Sequence, residues 1–159
     1  MVKILPRSEN SIITVLGLGY IGLPTATLFA AAGFQVFGYE KNASIVDSLE
    51  AGRPHIHFQE ADLRGLLQSV LQSGNLQPTK EIMPSDFYII CVPTPSRALG
   101  DRKVSDLSFV VSAAKEVAKV LQKGNTVILE STVPPGTTEK VMGKTLEEGS
   151  GLSLNKDFH

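Results

Sequence analysis

Apolar residues recur along this chain at two alternating spacings. Ile12–Leu16 is a short, β-rich apolar run, the pattern of a strand covered on both faces. From residue 20 to about 32 the spacing becomes helical, with Leu28, Phe29 and Ala32 on one face and Gly33 as the stop. Pro24 fits there only in the first turn, where an amide donor has no intrahelical partner anyway. Gln35–Tyr39 predicts a second strand, and Asn42 a cap for a helix carrying Ile45, Val46 and Leu49. Residues 62–73 predict a further helix with Leu63, Leu66, Leu67, Val70 and Leu71 in one stripe, ended by Gly74.

A weak third strand is expected near residues 79–82 and a strongly buried fourth at 86–92, with Cys91 inside it. Either Ser105 or Asp106 caps the next helix, whose inner face holds Leu107, Val110, Val111, Ala114, Ala118 and Leu121. Gly124 and Asn125 turn the chain into a fifth strand at 126–132, and Thr137 opens a last helix to about residue 146. Strands alternating with helices of this length form βαβ units with right-handed crossovers. The expected fold class is therefore α/β, a doubly wound parallel sheet.

The length of 159 residues fits a single domain, with residues 1–10 as an N-terminal extension. A net charge of -1 removes any reason to expect nucleic acid or an acidic membrane surface as partner. Cys91 is the one cysteine, so no disulfide forms within a chain and a reducing compartment fits. No apolar run has the length of a membrane span, and the first ten residues lack the apolar core of a signal peptide. A cytoplasmic location is expected.

The candidate chemistry begins at "GLGYIGLPTA". Gly17, Gly19 and Gly22 match G-x-G-x-x-G between a predicted strand and a predicted helix. Gly17 would permit the tight turn, Gly19 the approach of the backbone to a pyrophosphate, and Gly22 close packing of helix on sheet. The amides of Tyr20 and Ile21 would face the phosphates, assisted by the helix dipole. Glu40 ends the second strand 18 residues after Gly22, where a carboxylate accepts from ribose hydroxyls and repels a 2′-phosphate. NAD is thus favoured over NADP, although the neighbouring Lys41 is a cation suited to that phosphate. The competing reading of these features is a methyltransferase-like sheet that binds an adenosyl group.

Two later stretches narrow the choice: "IICVPTP" leaves the fourth strand and "ILESTVPPGTTE" the fifth. Both lie where open α/β sheets bind ligands. With "SDFYIICVPTP" and "SDLSFV", these motifs resemble, in order and spacing, the NAD-binding domain of the UDP-glucose/GDP-mannose dehydrogenase family. The resemblance runs from about Ile12 to the C-terminus. "GRPHIHF" and "LEEGSGL" are most similar to the branch acting on UDP-N-acetyl-mannosamine.

The resemblance implies a Rossmann-like sheet in which "KDFH" begins a sixth strand. It implies oxidation of a UDP-sugar C6 alcohol to a uronic acid, with two NAD molecules used in succession. Thr132 then corresponds to the family's catalytic-site threonine, which orients a water or the C6 hydroxyl. Val92, Pro93, Thr94 and Ser131 fall at positions beside the cofactor's ribose and nicotinamide. The family's catalytic cysteine, lysine, asparagine and glutamate have no counterparts in these 159 residues, and Cys91, in an apolar run, does not replace the nucleophile. On this reading the fragment alone is inactive, and a homodimer forms only with the family's central domain.

A freestanding nucleotide-binding or regulatory module without catalysis remains the alternative function. A 3-hydroxyacid or 6-phosphogluconate type dehydrogenase is a third reading, which "VPTP" and "STVPPGTT" oppose. His55 and His57 have ligand-like spacing, but only Glu60 and Asp62 accompany them and no metal site is expected. "DRK", residues 101–103, reads as a solvated charged loop.

Overall fold

A computed structural model describes residues 11–56, 61–100 and 102–159. The N-terminal extension, His57, Phe58, Glu60 and Asp101, all considered above, lie outside these residues. The elements run β1 (Ile12–Leu16), α1 (Gly22–Ala31), β2 (Gln35–Tyr39), α2 (Ala43–Glu50), α3 (Ala61–Ser73), β3 (Leu76–Thr79) and β4 (Phe87–Ile90). There follow β5 (Ser96–Leu99), β6 (Arg102–Ser105), α4 (Ser108–Ala118), β7 (Thr126–Leu129), a π-helical turn (Thr138–Gly143) and α5 (Lys144–Ser150). Five strands form one parallel sheet in the order β3-β2-β1-β4-β7.

Two apolar cores sandwich that sheet, which is why its strands read as continuous apolar runs. One core joins Val15, Val36 and Ile89 to Leu23 and Ala26 of α1 and Leu67 of α3. The other joins Leu16, Tyr88 and Ile90 to Val110 and Ala114 of α4 and Leu146 of α5. Inside the sheet, the Thr14 hydroxyl lies 2.7 Å from that of Ser85, whose amide donates to the Tyr88 hydroxyl at 2.9 Å. That small network satisfies the polar groups that a doubly covered strand buries.

The C-terminus extends the ladder. Val127 donates its amide to His159 O, and His159 donates to Asn125 O. This is parallel-type bonding with His159 opposite Thr126, along the outer side of β7.

Several expectations need correction. Leu28 and Ala32 of the first helix are exposed, and the buried face is instead Leu23, Ala26, Thr27 and Ala30. Small side chains face inward because the glycine turn brings α1 close to the sheet. Leu66 leaves the α3 stripe and is exposed, whereas Leu67 and Val70 are buried.

The third strand begins three residues earlier than expected, at Leu76. Its register is set by Val36 opposite Leu76 and Tyr39 opposite Thr79. Pro78 hid it, yet a proline is compatible with a strand at the sheet edge. The fourth and fifth strands end at Ile90 and Leu129, so Cys91 lies just past its strand and is half-buried rather than within the core. Arg102 and Lys103, read as part of a solvated charged loop, belong to β6, which pairs antiparallel with β5. The N-cap of α4 is Leu107, which offers no side-chain bond, rather than Ser105 or Asp106, although Asp106 just before it accepts from the Ser108 amide at 2.9 Å. The final helix opens as a wide π turn and runs on to Ser150. No described helix is long and apolar enough to cross a membrane.

Candidate functional site

Parallel strands place all their C-terminal ends on one side, and β1 is where the order reverses. Its neighbours β2 and β4 are reached by connections running in opposite directions, which leaves a crevice beyond its end. A cleft of about 610 Å³ occupies that place.

Its floor is the glycine turn. Gly17 has φ +88, and a Cβ there would lie 2.9 Å from Cys91 O. A Cβ on Gly22 would stand 1.8 Å from Gly17 O. Both glycines are thus required by the protein itself. Gly19 differs, since a Cβ on it would meet no protein atom within 4 Å. Nothing inside the fold demands glycine there, and the open space suits a ligand pressed against the main chain.

Beside that space, the amides of Gly19, Tyr20 and Ile21 have no protein acceptor among the described residues. The N-terminus of α1 carries no side-chain cap and no acid in its first turn. Its partial positive charge is therefore left for an anion. Tyr20 and Ile21 are 78% and 57% exposed, and both line the cleft.

Glu40 forms one end of the cleft. Its Oε2 accepts from the Leu18 amide at 3.1 Å and its Oε1 from the Asn42 amide at 3.0 Å. Two main-chain donors hold the carboxylate in one orientation and leave lone pairs toward the cleft. Lys41 donates to Ser112 Oγ at 2.8 Å and lies 3.8 Å from Glu116, so its ammonium is drawn onto α4. Ile45, Phe109 and Ala113 add an apolar wall at the same end. Tyr39 also lines it, its hydroxyl kept protonated mainly by burial and then by the charges of Glu116 and Glu40.

The other end is made by the two proline-containing loops. Val92, Pro93, Thr94, Ser131 and Thr132 all line the cleft. Ser131 donates to Val92 O at 2.7 Å and Thr94 donates to Thr132 O at 2.7 Å, which laces the loops together. The hydroxyl protons of Ser131 and Thr94 are thereby committed, which leaves both oxygens as acceptors. The hydroxyl of Thr132 makes no hydrogen bond among the described residues and lies exposed at the cleft. Every sequence-nominated residue except Gly22 lines this one cleft, and Gly22 shapes its floor from behind.

Sequence reasoning missed Phe109, Ser112 and Glu130. The signal for Phe109 was a large apolar residue off the inner stripe of α4. That for Glu130 was an acid inside the stretch expected as the fifth strand.

Cys91 also lines the cleft, and its thiol donates to Glu130 Oε2 at 3.1 Å. Burial first, then the bond to Glu130 and its charge, push the thiol pKa far above its ordinary value. The thiol form is inert toward carbonyls and alkylating agents. Alkylation by iodoacetamide at pH 8 is expected to be at least about ten-fold slower than for an unperturbed thiol, and to keep rising above pH 9. A rate profile that levels off below pH 9 would contradict this assignment.

The sequence model of the UDP-glucose/GDP-mannose dehydrogenase family, NAD binding domain, matches residues 11–159. The chain belongs to this family. It is 45% identical over 150 residues to the UDP-N-acetyl-D-mannosamine dehydrogenase of Pyrococcus horikoshii, covering 92% of this chain and 34% of that protein. It is also 45% identical over 129 residues to an NDP-N-acetyl-D-galactosaminuronic acid dehydrogenase of Ralstonia nicotianae, covering 81% and 29%. Among solved structures, the UDP-N-acetyl-mannosamine dehydrogenase Cap5O from Staphylococcus aureus superposes with a TM-score of 0.84 at 37% identity, covering 93% of this chain and 35% of that one. The chain thus spans about a third of the length of these relatives and corresponds to the family's NAD-binding domain. The bare amides, the open space at Gly19 and the fixed carboxylate of Glu40 fit that coenzyme.

Proposed function

We propose that residues 1–159 act as one coenzyme-binding domain of a nucleotide-sugar 6-dehydrogenase. That enzyme would oxidise the C6 alcohol of a UDP-sugar, of the UDP-N-acetyl-mannosamine or UDP-glucose type, to a uronic acid. The carrying observation is the cradle of unbonded amides at Gly19, Tyr20 and Ile21 in line with Glu40, in a chain of this family. NAD, when bound, supplies the hydride acceptor.

The chain's own residues divide the work of holding it. Gly17 and Gly22 set the turn, and the amides of Gly19, Tyr20 and Ile21 bind the pyrophosphate. Glu40 accepts from the adenosine ribose hydroxyls, and Lys41, held on α4, closes that end without serving a 2′-phosphate. Val92, Pro93, Thr94 and Ser131 orient the nicotinamide half. Thr132 would take the catalytic position, directing a water or the sugar C6 hydroxyl by hydrogen bonding. Cys91 is not the nucleophile, because its thiol is held protonated.

This domain alone binds coenzyme without turnover. The substrate partner is a UDP-sugar, and a homodimer forms only through the family's central domain. Neither nucleic acid nor a membrane is a partner, and the location is cytoplasmic. The test is turnover by the full-length protein with UDP-N-acetyl-mannosamine and UDP-glucose side by side. Two NADH are expected per sugar oxidised with one of them. Absence of NADH formation with both rejects the reading.

A further inference from the structure

The cleft is acidic at both ends, and only one of these acids has a role in the account above. Glu40 follows β2 on one side of the β1 switch point. Glu130 follows β7 on the other side, and both side chains line the same cleft. A ligand whose diphosphate lies on the α1 amides between them reaches Glu40 with one nucleoside and the Glu130 end with the other.

Glu130 is held by side-chain donors, where Glu40 is held by main-chain amides. Its Oε2 takes the Cys91 thiol at 3.1 Å and the Thr25 hydroxyl at 3.5 Å, both neutral donors. Its amide is tied to Ile90 O, which fixes the backbone that carries it. No Lys or Arg forms an ion pair with it among the described residues, although Glu116 on neighbouring α4 has two such partners. A carboxylate without an ion-pair partner among the described residues therefore stands at the end of the cleft proposed for the nicotinamide. Thr25, the fourth residue of α1, and Cys91 after β4 both donate to it. The two redox forms of the coenzyme differ there in one respect, since the oxidised nicotinamide ring is a cation and the reduced ring is neutral.

We propose that Glu130 is a positioning residue that sets the preference of the cleft for oxidised over reduced coenzyme. Cys91 and Thr25 serve as its supports. The charge of Glu130 attracts the nicotinamide cation and gains nothing from the neutral ring, so the product form leaves more readily than the reactant form. This also gives Cys91 a use that its protonated state permits, as a donor rather than a nucleophile. The inference rests on the assignment of the cleft to NAD.

The test is equilibrium titration of the chain with NAD+, NADH and ADP-ribose, for the wild type, Glu130→Gln and Glu130→Asp. Attraction between a carboxylate and a cation that share a partly solvated cleft accounts for a several-fold effect. Glu130→Gln is therefore expected to weaken NAD+ about five-fold, with NADH and ADP-ribose within about two-fold of wild type. Glu130→Asp keeps the charge and is expected to keep most of the NAD+ to NADH ratio. The wild-type ratio should fall as salt is raised from 0.05 to about 0.5 M, and the Glu130→Gln ratio should not. Equal losses for all three ligands in Glu130→Gln, or an unchanged ratio, overturn the proposal and leave NAD binding intact. A wild type that binds neither NAD+ nor ADP-ribose overturns the coenzyme assignment and the proposal with it.

Discussion

Gly19→Ala is expected to leave folding stability within about 0.5 kcal/mol of wild type while lowering NAD affinity more than about ten-fold. Gly22→Ala is expected to do the reverse first, costing about 3 kcal/mol or more of stability. The two glycines are three residues apart in one motif, yet the space around them differs completely. A methyl group on Gly19 meets no protein atom and occupies the room where the main chain would touch a phosphate. A methyl group on Gly22 would overlap Gly17 O at 1.8 Å, and the obstacle is backbone rather than a side chain that can rotate away. The turn must open, which moves α1 off a core that includes Leu23, Ala26 and Ala30. Urea unfolding and coenzyme titration of both variants check this. Equal losses of affinity and stability in Gly19→Ala would remove the case for a ligand at that space.

The second large effect is expected at Glu40. Glu40→Gln should weaken NAD by about ten-fold or more and raise the NADP to NAD affinity ratio by at least about ten-fold. In the proposed pose this carboxylate would both accept from a pair of ribose hydroxyls and repel a phosphate in their place. Glutamine retains one acceptor oxygen, so either Leu18 or Asn42 keeps its amide bond and the loop persists. The charge is what is lost. Lys41 does not compensate, because Ser112 and Glu116 hold its ammonium. Fluorescence or calorimetric titration with both coenzymes decides the matter. An unchanged ratio would mean that discrimination resides elsewhere.

The sheet and most of the cleft were legible in the sequence for a physical reason. Strands buried on both faces must be apolar throughout, and a ligand touched by main chain needs glycine, so β1 and Gly17–Gly19–Gly22 announce themselves. Features that depend on tertiary distance were not legible. The inward face of α1 consists of Leu23, Ala26, Thr27 and Ala30 because the helix lies so near the sheet, a closeness the larger Leu28 and Phe29 concealed. The β5–β6 hairpin, with Arg97 opposite Val104 and Ala98 opposite Lys103, has neither a strict polar alternation nor an Asn-Gly turn. The lacing of Thr94 to Thr132 and of Ser131 to Val92 joins residues about forty positions apart, which no local pattern encodes. Cys91 looked like core because its neighbours are core. The pairing with β7 stops one residue sooner and turns its sulfur toward Glu130.

Pro78 governs how the outer border of the sheet meets other molecules. Val36 and Glu40 of the β2 side donate to Asn75 and Thr79, so the odd-numbered residues of β3 face inward. Pro78 therefore faces out, and a peptide aligned along that border finds no N–H at its midpoint. The missing donor disfavours addition of a further strand along this flank.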